Sequence, residues 1–151
     1  MNFKGYGVHL KDVHLYVGED CGYVLLEKIF DVVQELRICS PWISKKYIEK
    51  LIDISKRDIS IFIITSDDEN NSECLDLLKF QDKIKFKIQS TSFVHSKIYI
   101  IDKELAIIGS ANLTYTGLES KQNNYLACIY DRTGIDDMIN VFNDLYRKKG
   151  F

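Results

Sequence analysis

The chain has 151 residues, of which 46% are hydrophobic and 28% are charged, and it contains a single proline. This length and composition predict one globular domain spanning residues 1–151, and they exclude a disordered or fibrous protein. The formal net charge of −2 neither indicates nor excludes a nucleic-acid binder, since local charge on one face is what attracts a polyanion.

Cysteine usage and hydropathy bear on where the protein works. The four cysteines form no Cys-x-x-Cys pair and have no metal-ligand spacing with the histidines, so we interpret them as buried, reduced thiols of an intracellular protein. The first seven residues carry no apolar run typical of a signal peptide, and no stretch reaches the roughly 18 apolar residues of a membrane span. We therefore expect a cytoplasmic protein.

Strand-like and helix-like segments alternate along the first half of the chain. The pattern predicts a strand at 13–17, a helix capped by Asp20, a strand at 36–39, a helix capped by Ser44 and a strand at 59–65. In the first helix the apolar residues recur at three- and four-residue steps: Leu25, Leu26, Ile29, Phe30 and Val33. The acidic, Asn-rich residues 66–72 are expected to form a solvated loop, followed by a helix at 73–80 and a strand at 83–88.

The second half begins with two predicted strands, 94–101 and 104–108, around a tight turn at Asp102 and Lys103. A capping box formed by Thr133 and Asp136 predicts a terminal helix that ends before Gly150. This helix is expected to bury Met138, Ile139, Phe142 and Leu145. The order of elements predicts an α/β fold, a mixed β-sheet flanked by helices on both faces.

Chemically reactive residues are concentrated between positions 94 and 112. They are His95, Lys97, Asp102, Gly109, Ser110 and Asn112, spaced as H-x-K-x4-D-x6-G-S-x-N. Positions two apart on a strand share a face, so His95 and Lys97 are expected to project into one pocket. The return strand would bring Ser110 and Asn112 to the same end of the sheet.

This set of groups suits a phosphodiester. Negative charge grows on the non-bridging oxygens as a nucleophile adds to phosphorus, and Lys97 and Asn112 can supply donors for it. A neutral imidazole at His95 can attack phosphorus and form a covalent phosphohistidine, which divides one hard hydrolysis into two easier displacements.

The spacing matches the HKD motif completely, and the sequence resembles the phospholipase D superfamily, closest in size to its small nucleases with one motif per chain. Residues 36–65, with a strand, Ser-Pro-Trp, a helix and an apolar strand, resemble the segment that precedes the motif in this family. The resemblance implies that His95 is the nucleophile and that Lys97 and Asn112 hold the phosphate. It also implies that Ser110 supports the site by hydrogen bonding and that Asp102 braces the hairpin.

The family also uses a second HKD histidine, which protonates the leaving oxygen and later activates water. This chain has one motif, and neither His9 nor His14 has a lysine two residues further on. The resemblance therefore implies a homodimer in which two copies of His95 meet at a twofold axis, with no metal and no other cofactor.

The sequence departs from the family pattern after the motif. Family members commonly carry an Asn-x-Glu whose carboxylate orients the nucleophilic histidine, whereas the corresponding residues here are Asn123-Asn124-Tyr125-Leu126. Asn124 or Tyr125 could accept the imidazole proton, or Glu119 or Asp131 could reach the site. A neutral substitute would support the developing imidazolium less well.

The favoured function is a metal-independent endonuclease that acts on nucleic acid. DNA is favoured over RNA, while both substrates and either strandedness stay open. Trp42 is a candidate base-stacking platform, although packing in the core or rim is its commoner role, and Tyr115 is a candidate for the substrate groove.

Two rival functions stay open. A phospholipase or phosphatidyl transferase would need an apolar groove or an interfacial helix, which no segment indicates, and we expect no stable membrane association. A dimeric nucleic-acid-binding module with decayed catalysis would explain the missing carboxylate.

Overall fold

A computed structural model describes residues 4, 5 and 7–148 and shows a seven-stranded mixed sheet with helices on both faces, so the predicted α/β fold is confirmed. The strands are β1 (Val13–Gly18), β2 (Glu35–Cys39), β3 (Ser60–Ser66), β4 (Ile84–Gln89), β5 (Ile98–Ile101), β6 (Leu105–Gly109) and β7 (Asn124–Ile129). The helices are α1 (Cys21–Phe30), α2 (Lys45–Ser55), α3 (Ser72–Leu78), α4 (Tyr115–Leu118) and α5 (Arg132–Arg147), with a 3₁₀ turn at Glu69–Asn71.

The sheet combines a parallel half with an antiparallel half. Its strand order is β1-β7-β6-β5-β2-β3-β4, in which β2, β3 and β4 run parallel and every other neighbouring pair is antiparallel. Helices α2 and α3 provide the crossovers that parallel neighbours require. The central hairpin, β5–β6, therefore lies in the middle of the sheet, covered on both faces.

Two hydrophobic cores fill the space on either side of the sheet. Alternate residues of β5 separate between them, with Ile98 and Ile100 on the α5 side and Tyr99 and Ile101 on the side of α1 and α2. This burial on both faces explains why the central strands read as continuous apolar runs.

The first helix is shorter than its apolar periodicity predicted. It ends at Phe30, and Phe30 and Val33 are exposed rather than buried. The backbone N–H of Val33 donates to the Asp102 carboxylate instead of to a carbonyl of a further helical turn. The chain then enters β2 at Glu35.

The segment 66–72 is exposed at Asp67, Glu69, Asn70 and Ser72, as its composition indicated, but it is not solvated throughout. Asn71 is fully buried; its amide nitrogen donates to the Pro41 carbonyl over 2.7 Å, and its oxygen accepts from the Ile43 backbone N–H over 3.1 Å. Asn71 thus holds the backbone that follows β2.

The start of α5 also differs from the prediction. Asp131, not Thr133, caps the helix, since its carboxylate accepts from the Gly134 backbone N–H over 2.8 Å. Met138 and Phe142 are buried as expected, whereas Ile139 and Leu145 are only partly buried. The predicted stop at Gly150 lies outside the described residues.

The cysteines and the helices bear on two wider expectations. All four cysteines are free and buried, as interpreted from the sequence. Within residues 4, 5 and 7–148, no helix has both the length and the apolar character needed to cross a membrane.

The β5–β6 turn is fixed by one carboxylate. Asp102 and Lys103 both have a φ of 55°, as a two-residue hairpin turn requires, and aspartate tolerates this conformation better than most residues. The Asp102 carboxylate accepts hydrogen bonds from the backbone N–H groups of Val33, Gln34 and Glu35 over 2.7–3.3 Å. The turn is therefore bound to the chain that enters β2.

Replacement of Asp102 by alanine should destabilise the fold. Because hydrogen bonds to a charged group contribute about 1.5–3 kcal/mol each, we expect Asp102→Ala to lower the free energy of unfolding by about 2–4 kcal/mol in urea denaturation. The matched control is Asp136→Ala, which removes an exposed ion pair with Arg132 and should cost about 0.5 kcal/mol or less. Equal losses in the two variants would show that Asp102 does not brace the hairpin.

Candidate active site

His95 and Lys97 lie in a loop, which corrects the predicted strand at 94–101. A turn in which the Val94 backbone N–H donates to the Ser90 carbonyl over 2.9 Å precedes them, and β5 begins only at Ile98. The two side chains nevertheless meet as expected. The Lys97 Nζ lies 3.2 Å from His95 Nδ1 and 2.9 Å from the His95 carbonyl oxygen.

The return strand delivers Gly109 and Ser110 to this end of the hairpin. Ile98 pairs with Ile108, so Gly109 lies next to Lys97 in the register. A Cβ atom at position 109 would collide with the Tyr125 carbonyl of β7, which explains the glycine. The Ser110 hydroxyl donates to Asn124 Oδ1 over 2.8 Å and accepts from the Tyr125 backbone N–H over 3.0 Å, and thereby links β6 to β7.

Asn112 is held through its neighbours while its own side chain stays uncommitted. The Ala111 carbonyl accepts from the Tyr99 hydroxyl over 2.7 Å, and the Leu113 backbone N–H donates to Ser40 Oγ over 2.9 Å. The Asn112 Oδ1 atom is buried and has no hydrogen-bond partner in the part of the chain that the structure describes. Such a buried, unpaired acceptor costs about 1–3 kcal/mol, and it is the Nδ2 atom of the same amide, not Oδ1, that could donate to a phosphate oxygen.

Trp42 is brought to His95, whereas Tyr115 is not. The Trp42 and His95 rings lie 5.9 Å apart at an interplanar angle of 85°, an edge-to-face contact. Tyr115 is exposed at the start of α4, where its ring lies 5.8 Å from Lys46 Nζ, and it has no described contact with the His95 imidazole. Sequence reasoning did not foresee the Trp42–His95 contact, although β2 ends at Cys39, which pairs with Ile98 beside His95.

Three of the four groups considered for the missing carboxylate are engaged elsewhere. Glu119 accepts hydrogen bonds from Lys46 Nζ and from the Tyr47 hydroxyl, and Asp131 caps α5. Asn124 bonds to Ser110 and to the Gly117 carbonyl. The described side-chain contacts of the His95 ring are with Lys97 and Trp42.

Burial shapes the charge of the site. Partial burial lowers the pKa of the Lys97 ammonium below its usual value, an effect that the nearby Cys39 opposes. Burial raises the pKa of the Cys39 thiol to about 12, and the Sγ atom lies 3.4 Å from the Ser96 carbonyl oxygen. The Cys39 thiol near Lys97 thus stays neutral, and the Lys97 ammonium loses its proton more readily than that of an exposed lysine.

A family model described as "Cardiolipin synthase, PLD-like domain" matches residues 25–146, which include every residue of the motif. The chain belongs to the phospholipase D superfamily. No curated protein sequence matches it. Membership supports an enzyme of the phosphodiesterase type.

Solved structures agree with this fold. NucT from Helicobacter pylori has a TM-score of 0.75 and 17% identity, and the match covers 93% of this chain and 99% of NucT. Nuc from Salmonella typhimurium, a phospholipase D family member, has a TM-score of 0.72 and 16% identity over 89% of this chain and 95% of Nuc. TrmBL2, an archaeal chromatin protein, has a TM-score of 0.62 and 15% identity over 89% of this chain and 52% of its own. At these identities the likeness establishes the fold.

The burial of Lys97 can be tested by titration. In the protein with its lysines reductively ¹³C-methylated, the Lys97 resonance should show a midpoint below that of a normal lysine, because burial disfavours the ammonium. Lys45 is the matched control, since its hydrogen bond and charge interaction with Glu73 raise its pKa. A Lys97 midpoint at or above that of Lys45 would contradict this description of the site.

Proposed function

We propose that this protein is a metal-independent endonuclease that cleaves nucleic acid through a phosphohistidine on His95, in an active site shared across a homodimer. The observation that carries the proposal is the contact of Lys97 with His95 at the open end of the β5–β6 hairpin, where the return strand leads through Gly109 and Ser110 to Asn112. An imidazole, a cation and an amide are the groups that a phosphodiester needs.

The first chemical step forms one bond and breaks another. A ring nitrogen of His95 attacks phosphorus in line with the leaving oxygen, and the phosphorus–oxygen bond to that group breaks. Lys97 and Asn112 donate hydrogen bonds to the non-bridging oxygens as their charge grows. The leaving oxygen takes a proton from His95 of the partner subunit, which then removes a proton from water so that hydroxide displaces the histidine.

Lys97 also controls the tautomer of the nucleophile. An ammonium group is a donor only, so a hydrogen bond from Lys97 to Nδ1 of His95 requires the tautomer whose proton lies on Nε2. A phosphate anion is a stronger partner for an ammonium than a neutral imidazole is. Substrate binding would therefore release Nδ1 to take the proton and leave Nε2 free to attack.

An apolar surface next to the site supports the dimer. Val13, Leu15 and Val17 share one face of the edge strand β1, and Leu15 and Val17 are 58% and 65% exposed. Val17 pairs with Tyr125, whose ring is also exposed. This β1–β7 surface (Val13, Leu15, Val17 and Tyr125) is of the kind that marks a protein contact.

The β1–β7 surface continues into a cavity of about 420 Å³ that Lys97, Gly109 and Tyr125 border. Its other lining residues are mostly apolar: Val8, Leu10, Ser96, Ile98, Ile108, Met138 and Val141. A second copy packed here would cover apolar surface and bring its own His95 towards the incomplete site. We therefore assign this surface to the partner subunit.

Nucleic acid is the favoured substrate class because the chain has the size and single motif of the small nucleases that its sequence resembles, and because Nuc and NucT match it over nearly their whole length. TrmBL2, whose structure shows "a novel mode of DNA binding", shares the same fold. DNA is accordingly preferred over RNA.

Phosphatidyl transfer is the second candidate. The cavity beside Lys97 is the apolar groove that the sequence did not reveal, and it could receive an acyl chain instead of a partner subunit. The matching family model is itself described as a cardiolipin synthase domain. The chemistry at phosphorus would be the same, so substrate tests have to separate the two.

Turnover in the presence of a chelator tests the proposed function. The purified protein should hydrolyse a bis-aryl phosphodiester and single- or double-stranded DNA in excess EDTA, because Lys97 and Asn112 stabilise the negative charge of the transition state. His95→Ala should abolish turnover and remain folded, since His95 is exposed in a loop. Phe80→Ala is the control; it removes an aromatic ring that is 84% exposed and should retain full activity.

Three outcomes would overturn this proposal. Loss of activity in EDTA with rescue by magnesium would exclude the metal-independent mechanism. Cleavage of phosphatidylglycerol vesicles without cleavage of DNA or RNA would favour phosphatidyl transfer. DNA binding with no turnover of any diester would identify a decayed binding module.

The dimer surface can be tested separately. The double variant Leu15→Lys, Val17→Lys places two charges on the β1–β7 surface, where both side chains are exposed and a folded subunit tolerates them. Light scattering should show a dimer for the wild-type protein and a folded, inactive monomer for the variant. The control Phe80→Lys should remain dimeric and active. An active monomer would refute the shared site.

A further inference from the structure

The segment that carries Trp42 is tied to the segment that carries Asn112. Ser40 is fully buried, and its hydroxyl donates to the Trp42 carbonyl over 2.7 Å while accepting from the Leu113 backbone N–H over 2.9 Å. On the other side of the tryptophan, the Ser44 backbone N–H donates to the Leu113 carbonyl over 2.9 Å. The two loops are therefore joined on both sides of Trp42.

Asn71 fixes the same loop from below. Its bonds to the Pro41 carbonyl and the Ile43 N–H hold the residues immediately before and after Trp42. Hydrogen bonds from the Asn70 backbone and from the Trp42 side chain lower the pKa of the Asp68 carboxyl. The backbone on both sides of Trp42 is thus anchored independently of His95, and the indole lies close enough to Asp68 to lower the pKa of that carboxyl.

The His95 ring, by contrast, has two described side-chain contacts, one with Lys97 and one with Trp42. It is exposed in the loop before β5, and the carboxylate that orients the histidine elsewhere in the family has no substitute in Glu119 or Asp131. The Trp42 ring, 5.9 Å away and nearly perpendicular, is the anchored surface against which the imidazole lies.

We propose that Trp42 is a positioning residue for His95, and that its edge-to-face contact holds the imidazole in the orientation that attacks phosphorus. The contact between Trp42 and His95 is present in the structure, whereas its effect on catalysis rests on the proposed function. In this role Trp42 orients the nucleophile His95, whereas from the sequence it was a candidate platform for stacking a base of the substrate.

Single-turnover kinetics with a bis-aryl phosphodiester and with a DNA oligonucleotide test this role. Trp42→Leu removes the aromatic contact but keeps an apolar side chain, so the rate of adduct formation on His95 should fall about 2- to 10-fold. The KM for both substrates should change by less than about twofold, because ground-state binding is unaffected. Trp42→Phe should restore most of the rate, and Phe80→Leu should leave it unchanged.

Nuclear magnetic resonance gives a readout that does not depend on activity. Nuclear Overhauser effects between the Trp42 and His95 rings are expected in the wild-type protein, and Trp42→Leu should broaden or average the His95 ring resonances while the rest of the spectrum is kept. An inactive wild-type protein that shows these contacts would refute the proposed function and leave the positioning of His95 intact.

Two results would overturn the positioning role. If Trp42→Leu raised KM for DNA without slowing adduct formation, Trp42 would be a substrate platform instead. If the His95 ring signals and the rate of adduct formation were both unchanged in Trp42→Leu, the contact would have no positioning effect.

Discussion

The site depends first on the hydrogen bonds of one carboxylate. Asp102 binds three successive backbone N–H groups at the entry to β2 and so fixes the turn of the β5–β6 hairpin. Because the hairpin strands are only four and five residues long, this turn sets the register that places Lys97 beside Gly109. The spacing of the motif thus corresponds to one short hairpin, with Asp102 at its turn and with His95 and Lys97 at its open end.

A second constraint joins the hairpin to the rest of the sheet. The loop after β2 bonds to Leu113 through Ser40 and Ser44, and Asn71, from the crossover between β3 and β4, holds that loop in place. Three segments distant in sequence are therefore bonded to one another: the loop after β2, which carries Trp42, the chain that follows β6, and the crossover that carries Asn71. The motif includes only the hairpin that leads into the second of them.

The sequence predicted the fold and the contact between His95 and Lys97 because the relevant signals are local. Alternating elements indicated the layered sheet, and the fixed spacing of the motif brought His95 and Lys97 together even though the strand expected to carry them starts only at Ile98. The burial of Asn71 was not predicted because its acidic, Asn-rich neighbours indicated a solvated loop. Its hydrogen-bond partners, Pro41 and Ile43, lie about 30 residues away in sequence. The Trp42 contact was missed for the same reason, since it depends on the pairing of β2 with β5.

Trapping the covalent intermediate tests the central claim most directly. Wild-type protein would be mixed with a bis-aryl phosphodiester or a short oligonucleotide at low pH, quenched with base after a brief interval, digested and analysed by mass spectrometry. The account predicts an acid-labile, base-stable phosphoryl adduct on His95 that retains one ester group of the substrate. A phosphoryl group on Ser110, or turnover at the wild-type rate in His95→Ala, would contradict it.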